Sequence, residues 1–235
     1  MVDVKKDIEA IINKIKEGQI PPERAWLEIR KMKEMYVRRY SEQSWHSFIG
    51  SKFEEIIYSI IKGYLSRKKS EDPVFNGLDV LTENEVKLDD ILMRKLAVRY
   101  GEFLLLPDAD IIIVDYNLEE PWKSEILAIL SCKTSLRERI AQACYWKLKL
   151  LSSDTTKNVH VFLVTTDNDN DFSIKDQKER YSGKHRNRII AEYELDGIYI
   201  LREDFPEEWG SNKVKRYEEM FEDIIKIFKK IHKIP

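Results

Sequence analysis

Two aliphatic runs occupy the middle of this 235-residue chain: PDADIIIVDYN at residues 107–117 and EILAILSCKTSLRERIAQ at residues 125–142. Each contains a stretch of branched aliphatic residues about as long as a buried strand, and turn-forming residues lie between them. We therefore predict a β-hairpin of long strands, which also includes the FLLL of residues 103–106.

Helical patterns surround this hairpin. Before it, residues 3–40 predict a small helical hairpin, and a long helix capped by Ser44 follows, with apolar residues at i, i+3, i+4 and i+7. After it, we expect a helix from Lys133 to Leu151, with Leu148 and Leu151 facing inward. The remaining expected elements are a buried strand over 159–165, a polar loop over 167–188, strands around 192–195 and 197–201, and a helix over 213–231. This order predicts an α/β fold with a mixed central sheet flanked by helices.

The composition is that of one folded, soluble chain. Lys and Arg number 40 against 42 Asp and Glu, so the net charge is −2, and 43% of the residues are hydrophobic. This apolar content excludes a disordered chain, and no apolar run reaches the ~18 residues of a membrane span. The first residues lack the apolar core of a signal peptide, so we expect a cytoplasmic protein with no membrane contact. Two cysteines and four scattered histidines exclude a disulfide framework and a Cys/His zinc cluster.

The ends of the two aliphatic runs carry acidic and basic residues. Asp108 and Asp110 open one strand and Lys133 closes the other, and antiparallel pairing brings these ends to the same edge of the sheet. Proteins bind Mg²⁺ through one or two carboxylates together with water and phosphate oxygens. Asp108, a second carboxylate and the backbone carbonyl of Cys132 therefore predict a magnesium site. There Lys133 would orient or deprotonate a water molecule and offset the charge that develops on phosphorus.

Ordinary surface residues can show the same spacing, but three further features favour a site. Lys133 ends an aliphatic strand that is expected to be buried. The Asp-Ala-Asp spacing at residues 108–110 puts two repelling carboxylates on one strand face, which is costly without a cation. The helix after Lys133 also begins with a charged Arg-Glu-Arg triplet at residues 137–139.

These residues resemble a known nuclease family. PDADIIIVDYN followed by EILAILSCKT looks like the core of the PD-(D/E)XK nucleases, and SCKTSLRERIAQ is similar to the type II restriction endonucleases grouped around EcoRII, PspGI and BsaWI. The resemblance covers about residues 45–165. It implies a restriction-endonuclease-like fold, with residues 1–43 as a helical N-terminal region suited to dimerisation and residues 44–235 as the nuclease domain.

The resemblance also implies roles for individual residues. Asp108 and Lys133 would be catalytic with Mg²⁺, and Arg137, Glu138 and Arg139 would read a CC:GG step in the major groove. That chemistry is reasonable, because arginine can bond O6 and N7 of guanine and glutamate can accept from N4 of cytosine. A solvated charge cluster is the alternative interpretation of the triplet.

Ser131 stands where this nuclease pattern usually has a second acid. A hydroxyl is a poorer Mg²⁺ ligand than a carboxylate, so another acid is required. Some relatives place a Glu on the following helix, but those positions are aromatic here. On the preceding helix, Glu54 projects from the edge of the apolar stripe toward the core, whereas Glu55 points almost opposite. We predict Glu54 as the second acid, with Ser131 in the catalytic set and Asp110 as an alternative to Asp108; two solvated glutamates remain the other interpretation.

Further residues are candidates for DNA contact. Gln142 lies on the same helical face as Glu138 and could add a base contact. The basic stretches supply the candidates for phosphate contact, which are Arg67, Lys68, Lys184, Arg186 and Arg188.

Together these features predict a homodimeric, Mg²⁺-dependent type II restriction endonuclease that cuts double-stranded DNA at a site containing CC and GG. A symmetric cut through a duplex needs two active sites related by a two-fold axis, hence the dimer. The host would also need a cognate DNA methyltransferase. Two alternatives stay open: a nuclease of the same fold that acts on a junction or damaged strand, and a catalytically silent DNA-binding protein.

Overall fold

A computed structural model describes residues 3–136, 138–175 and 180–234 of the protein. The strands are β1 (Leu78–Thr82), β2 (Val98–Tyr100), β3 (Phe103–Leu105), β4 (Ile111–Asp115), β5 (Glu125–Lys133), β6 (His160–Thr165), β7 (Gly197–Ile200) and β8 (Val214–Arg216). The helices are α1 (Val4–Lys16), α2 (Pro22–Lys31), α3 (Lys33–Arg39), α4 (Glu42–Glu71), α5 (Glu83–Lys87), α6 (Asp90–Leu96), α7 (Arg139–Leu151), α8 (Arg186–Glu194) and α9 (Glu219–His232).

The central sheet has the strand order β1-β4-β5-β6-β7-β8. β4 pairs antiparallel with both β1 and β5, whereas the pairs β5–β6, β6–β7 and β7–β8 are parallel. The predicted hairpin is therefore present as β4 and β5, and the predicted mixed sheet flanked by helices is confirmed. Because β4 begins at the edge where β5 ends, the residues before β4 lie beside Lys133.

Helices cover both faces of this sheet. Along β4, Ile111 and Ile113 enter a core that includes residues of α1 to α4 and α9. Ile112 and Val114 enter a second core that includes residues of α5 to α8. A strand buried on both faces needs a continuous aliphatic run, which explains why the sequence shows no alternation here.

The helix predicted from the apolar stripe is α4, and it is longer than expected. Ser41 caps it instead of Ser44: the Ser41 hydroxyl accepts a hydrogen bond from the backbone N–H of Ser44 at 3.0 Å. The helix continues past the basic run of residues 67–69 and ends at Glu71. Across the described ranges, the structure contains no helix with both the length and the apolar character to cross a membrane.

The FLLL run does not extend the β4–β5 hairpin, so this expectation was wrong. Phe103–Leu105 pairs with Val98–Tyr100 in a separate two-stranded ribbon, and all three residues of β3 are exposed. Pro107 lies between this ribbon and β4 and has no N–H to donate to a ladder. Hydrophobic content therefore marked these residues as strand without revealing which strand they pair with.

Several other expected boundaries are corrected. β5 runs through Lys133, so α7 begins later than expected, and Leu148 and Leu151 on it are about half exposed. The strand expected at 192–195 falls largely within α8, and the last helix begins at Glu219 because β8 precedes it. Short aliphatic runs fit a strand and a helical turn equally well, and sheet pairing distinguishes the two.

The helices α1 to α3 pack on α4 in one apolar core. The indole of Trp26 on α2 contacts the ring of Phe53 on α4, with centroids 5.0 Å apart. Tyr36 on α3 shares a hydrogen bond of 3.0 Å with the hydroxyl of Ser44 and lies edge-on to Trp45. These contacts hold the amino-terminal half of α4, on which Glu54 lies.

Phe53→Ala tests this packing. Phe53 is fully buried, so truncation leaves a cavity between α2 and α4, and we expect the free energy of unfolding to fall by about 3 to 5 kcal/mol. Urea denaturation measures the loss. Leu88→Ala is the control, because Leu88 is 89% exposed and should change stability by no more than about 0.5 kcal/mol. Equal effects of the two substitutions would contradict the packing argument.

Candidate active site

The pairing of β4 with β5 brings Asp110 and Lys133 together. The backbone N–H of Asp110 donates to the carbonyl of Leu130 at 3.0 Å, which continues the ladder beyond the start of β4. The Lys133 ammonium donates to Oδ2 of Asp110 at 2.7 Å, and the same oxygen accepts from the backbone N–H of Cys132 at 2.6 Å. The acidic and basic side chains are only 11% and 13% exposed, so solvent ions screen this pair less than a surface pair.

Glu54 reaches the same region from α4. It lines a cleft of about 600 Å³ together with Cys132 and Lys133, and it lines an adjoining depression together with Asp110. The pKa of Glu54 is raised to about 7, first by burial and then by the negative charge of Asp110, while the charge of Lys133 acts in the opposite direction. Two carboxylates and one ammonium therefore converge from three separate segments of the chain.

The sequence predicts Asp108 as a metal ligand with Asp110 as the alternative, and of these two acids Asp110 bonds Lys133. The Asp108 carboxylate is exposed and accepts a hydrogen bond from the amide of Gln142. Asp110 is the acid that lies beside the lysine, because the ladder with β5 continues through its backbone N–H. Asp108 still contributes to the field at Glu54 and raises the pKa of that carboxyl, but less than Asp110 does.

The donor set at this cleft offers few protein ligands, as is usual for Mg²⁺. Glu54 and Asp110 supply carboxylates, Cys132 could add its backbone carbonyl, and Ser131 is buried on the same strand. Among the described residues, no group of three or more His, Cys, Asp or Glu side chains is arranged to hold a metal ion. Mg²⁺ keeps several waters and binds through one or two carboxylates, so this donor set matches its usual protein environment.

Two of the residues expected to read bases, Glu138 and Arg139, lie at the same cleft. Glu138 and Arg139 line it opposite α4, and both are exposed. Arg139 is the first residue of α7, and its charge lowers the pKa of Glu54. Gln142 is engaged with Asp108, and Arg137 lies outside the described residues.

The candidate phosphate contacts are less well grouped. Arg67 lines a different groove, and Lys68 forms an ion pair with Glu71. Both basic residues follow Glu54 on α4 by thirteen or more positions, which places them about 20 Å from it along the helix. Lys184 forms an ion pair of 2.6 Å with Glu192, and Arg186 is exposed.

The assignment of Arg188 to phosphate contact is corrected, because its side chain is fully buried. Its guanidinium donates to the carbonyls of Phe172 and Trp209 and pairs with Glu192 at 3.2 Å. The charge therefore joins α8 to two neighbouring segments instead of facing solvent. A basic stretch in the sequence could not reveal this, because burial depends on partners far along the chain.

Several residues that line the cleft were not predicted. On α4 these include His46 and Gly50, which precede Glu54 at intervals of four residues and so share its face. Thr134 and Ser135 line the cleft between Lys133 and Glu138. The four-residue spacing along α4 is visible in the sequence. Which face of the helix lines the cleft depends on how α4 packs on the sheet, and the sequence alone does not show this.

The proteins to which this chain is similar are all described as restriction enzymes. The family model described as BsaWI restriction endonuclease type 2 matches residues 85–225. The chain is 42% identical over 195 residues to "Putative type II restriction enzyme MjaVIP" of Methanocaldococcus jannaschii, covering 81% of this chain and 80% of that protein. It is 36% identical over 140 residues to "Probable type II restriction enzyme HpyAORF263P" of Helicobacter pylori, covering 58% and 67%. The solved "Restriction endonuclease PspGI-substrate DNA complex" aligns over 98% of this chain and 94% of that chain, with a TM-score of 0.48 and 14% identity.

The chain therefore belongs to the BsaWI restriction endonuclease type 2 family. It is a type II restriction endonuclease, which is a site-specific deoxyribonuclease, so this prediction is confirmed. Enzymes of this class generally use a divalent metal ion. The family match includes Asp110, Lys133, Glu138 and Arg139, whereas Glu54 lies outside the matched residues and is placed at the site by the geometry of the cleft.

Glu54→Gln tests the electrostatics of the site. The pKa of Glu54 is about 7 in the folded protein against an ordinary value of 4.5, so its ionisation opposes folding as the pH rises through this interval. We expect the variant to be more stable than the parent protein by about 1 to 3 kcal/mol near pH 8.5 and equally stable near pH 4. Urea denaturation in EDTA at both pH values measures this. Equal stability at the higher pH would contradict the raised pKa.

Proposed function

We propose that this chain hydrolyses phosphodiester bonds of double-stranded DNA with Mg²⁺, at a sequence that contains CC and GG. One observation carries the proposal: Glu54 and Lys133 line the same cleft as Glu138 and Arg139, with Asp110 bonded to the lysine. Groups suited to cutting and groups suited to reading bases thus face the same bound duplex. The products would be 5′-phosphate and 3′-hydroxyl ends.

In this proposal Lys133 acts on the water and the phosphate. Asp110 holds its ammonium in the cleft, where the positive charge would orient an attacking water and offset the charge that develops on a phosphoryl oxygen. Glu54, Asp110 and the carbonyl of Cys132 would hold the metal ion. A bound Mg²⁺ polarises a phosphoryl oxygen and lowers the pKa of a bound water. The raised pKa of Glu54 supports a cation here, because a positive charge would relieve the repulsion from Asp110.

Sequence recognition is proposed for the start of α7. Arg139 has the two parallel N–H groups that bond guanine O6 and N7, and Glu138 can accept from cytosine N4. Arg137 joins this proposal from the sequence alone. Gln142 is a further candidate if DNA displaces its bond to Asp108, and Arg186 and Lys184 remain candidates for phosphate contact.

The assembly is also proposed on chemical grounds. Cutting both strands of a symmetric site requires two copies of the cleft related by a two-fold axis, so we propose a homodimer, with residues 1–43 as a candidate contact region. A cognate DNA methyltransferase would protect the host genome at the same sequence.

Incubation with plasmid DNA tests the proposed reaction. With Mg²⁺ the protein should produce discrete fragments, and sequencing of the fragment ends should identify the recognition site and the cut position. Lys133→Ala should lower cleavage by at least about a hundredfold, because the charge beside the scissile phosphate is lost, while DNA binding persists. A smear from the parent protein, or full activity in the variant, would argue against the proposal.

Arg139→Ala distinguishes sequence reading from recognition of DNA shape. If Arg139 bonds a guanine, its loss should reduce discrimination against a substituted base pair by about 1 to 3 kcal/mol at that position. Competitive cleavage of duplexes that differ at one base pair measures this. Arg94→Ala, an exposed change on α6 outside the cleft and outside residues 1–43, is the control and should leave discrimination unchanged. Unchanged discrimination in both variants would favour a nuclease with a structural substrate.

A further inference from the structure

The loop after β6 contacts the segment that joins the catalytic lysine to the base-reading residues. The amide of Asn168 donates to the backbone carbonyl of Thr134 at 2.8 Å, and the hydroxyl of Thr166 reaches the same carbonyl at 3.5 Å. Thr134 lines the cleft and follows Lys133 directly in the chain, four residues before Glu138. The position of this carbonyl therefore affects the path of the backbone from Lys133 toward Glu138.

A second contact joins the same two segments. The Ser135 hydroxyl donates to the carboxylate of Asp169 at 3.2 Å. Two successive residues after Lys133 are thus held by two successive residues of the loop after β6. A pair of adjacent contacts fixes the orientation of a backbone segment as well as its distance.

The loop itself is anchored on its other side. The carboxylate of the buried Asp167 accepts from the backbone N–H of Phe172 at 3.2 Å. Arg202, which follows β7, donates to the carbonyl of Asp167 at 3.2 Å and to the side chain of Asn170 at 2.6 Å. The loop that contacts Thr134 is therefore itself held in place by hydrogen bonds.

An asparagine at position 168 is unfavourable for the stability of the fold. Its donor must face Thr134, because a carbonyl can only accept, and this leaves Oδ1 of Asn168 buried with no hydrogen-bond partner among the described residues. An unpaired buried carbonyl destabilises the folded state. The carbonyl of Thr134 would still have the hydroxyl of Thr166 without Asn168. A local conflict of this kind beside a site is a mark of function.

We propose that Asn168 is a positioning residue for base recognition. By holding Thr134, it keeps Glu138 and Arg139 in a fixed position relative to Lys133, so that the bases are read in register with the bond that is cut. This inference rests on the proposed cleavage of DNA.

Asn168→Leu and Asn168→Ala test the inference. Leucine resembles asparagine in shape and removes both the donor and the unpaired acceptor, so the melting temperature should stay the same or rise. The ratio of cleavage rates at the cognate site and at sites with one substituted base pair should fall at least tenfold in both variants. The cognate site is the one read from the ends of plasmid fragments cut by the parent protein with Mg²⁺.

Ser173→Ala is the matched control in the same loop. Its hydroxyl donates to the carbonyl of Asn170 at 2.7 Å, and it has no hydrogen bond to the described residues 134–136, so the ratio should remain that of the parent protein. An unchanged ratio in both Asn168 variants overturns the inference alone, whatever their melting temperatures. Absence of discrete fragments from the parent protein would overturn the proposed function, and this inference with it.

Discussion

The hydrogen-bonded pairing of β4 with β5 sets the position of two side chains of the candidate active site, Asp110 and Lys133. The ladder continues one residue past β4, where the N–H of Asp110 bonds Leu130, and this places the carboxylate against Lys133 and the N–H of Cys132. A slip of one residue along β5 would exchange Lys133 for its neighbour on the opposite face, because side chains alternate along a strand. The aliphatic residues that bury both faces of these strands resist such a slip.

The site is electrostatically unfavourable for the protein alone. Glu54, Asp110 and Lys133 bring two negative charges and one positive charge into a partly buried space, and the pKa of Glu54 rises to about 7 as a result. Stability must come from elsewhere, and the two apolar cores on either side of the sheet supply it. The packing of Trp26 on Phe53 also holds the stretch of α4 that carries Glu54. Close packing around the site therefore offsets the repulsion between its carboxylates.

A short stretch of backbone joins the residue proposed for cleavage, Lys133, to the residues proposed for base recognition. Lys133 ends β5, Glu138 precedes α7, and residues 134–136 between them belong to no strand or helix. The loop after β6 holds two of these residues, Thr134 and Ser135, through Asn168 and Asp169. Parallel neighbours such as β5 and β6 end at the same edge of a sheet, so this support follows directly from the topology.

Local patterns in the sequence determined the hairpin of β4 and β5, the apolar face of α4, and the ends at which acids and a lysine would meet. These follow from periodicity and from the chemistry of neighbouring residues. Tertiary structure decided that Asp110, not Asp108, faces the lysine, because strand pairing fixes which residue stands opposite the end of β5. It also decided that Arg188 is buried and that Phe103–Leu105 forms a separate ribbon. Burial and strand partners depend on segments far apart in the chain, and no local pattern contains them.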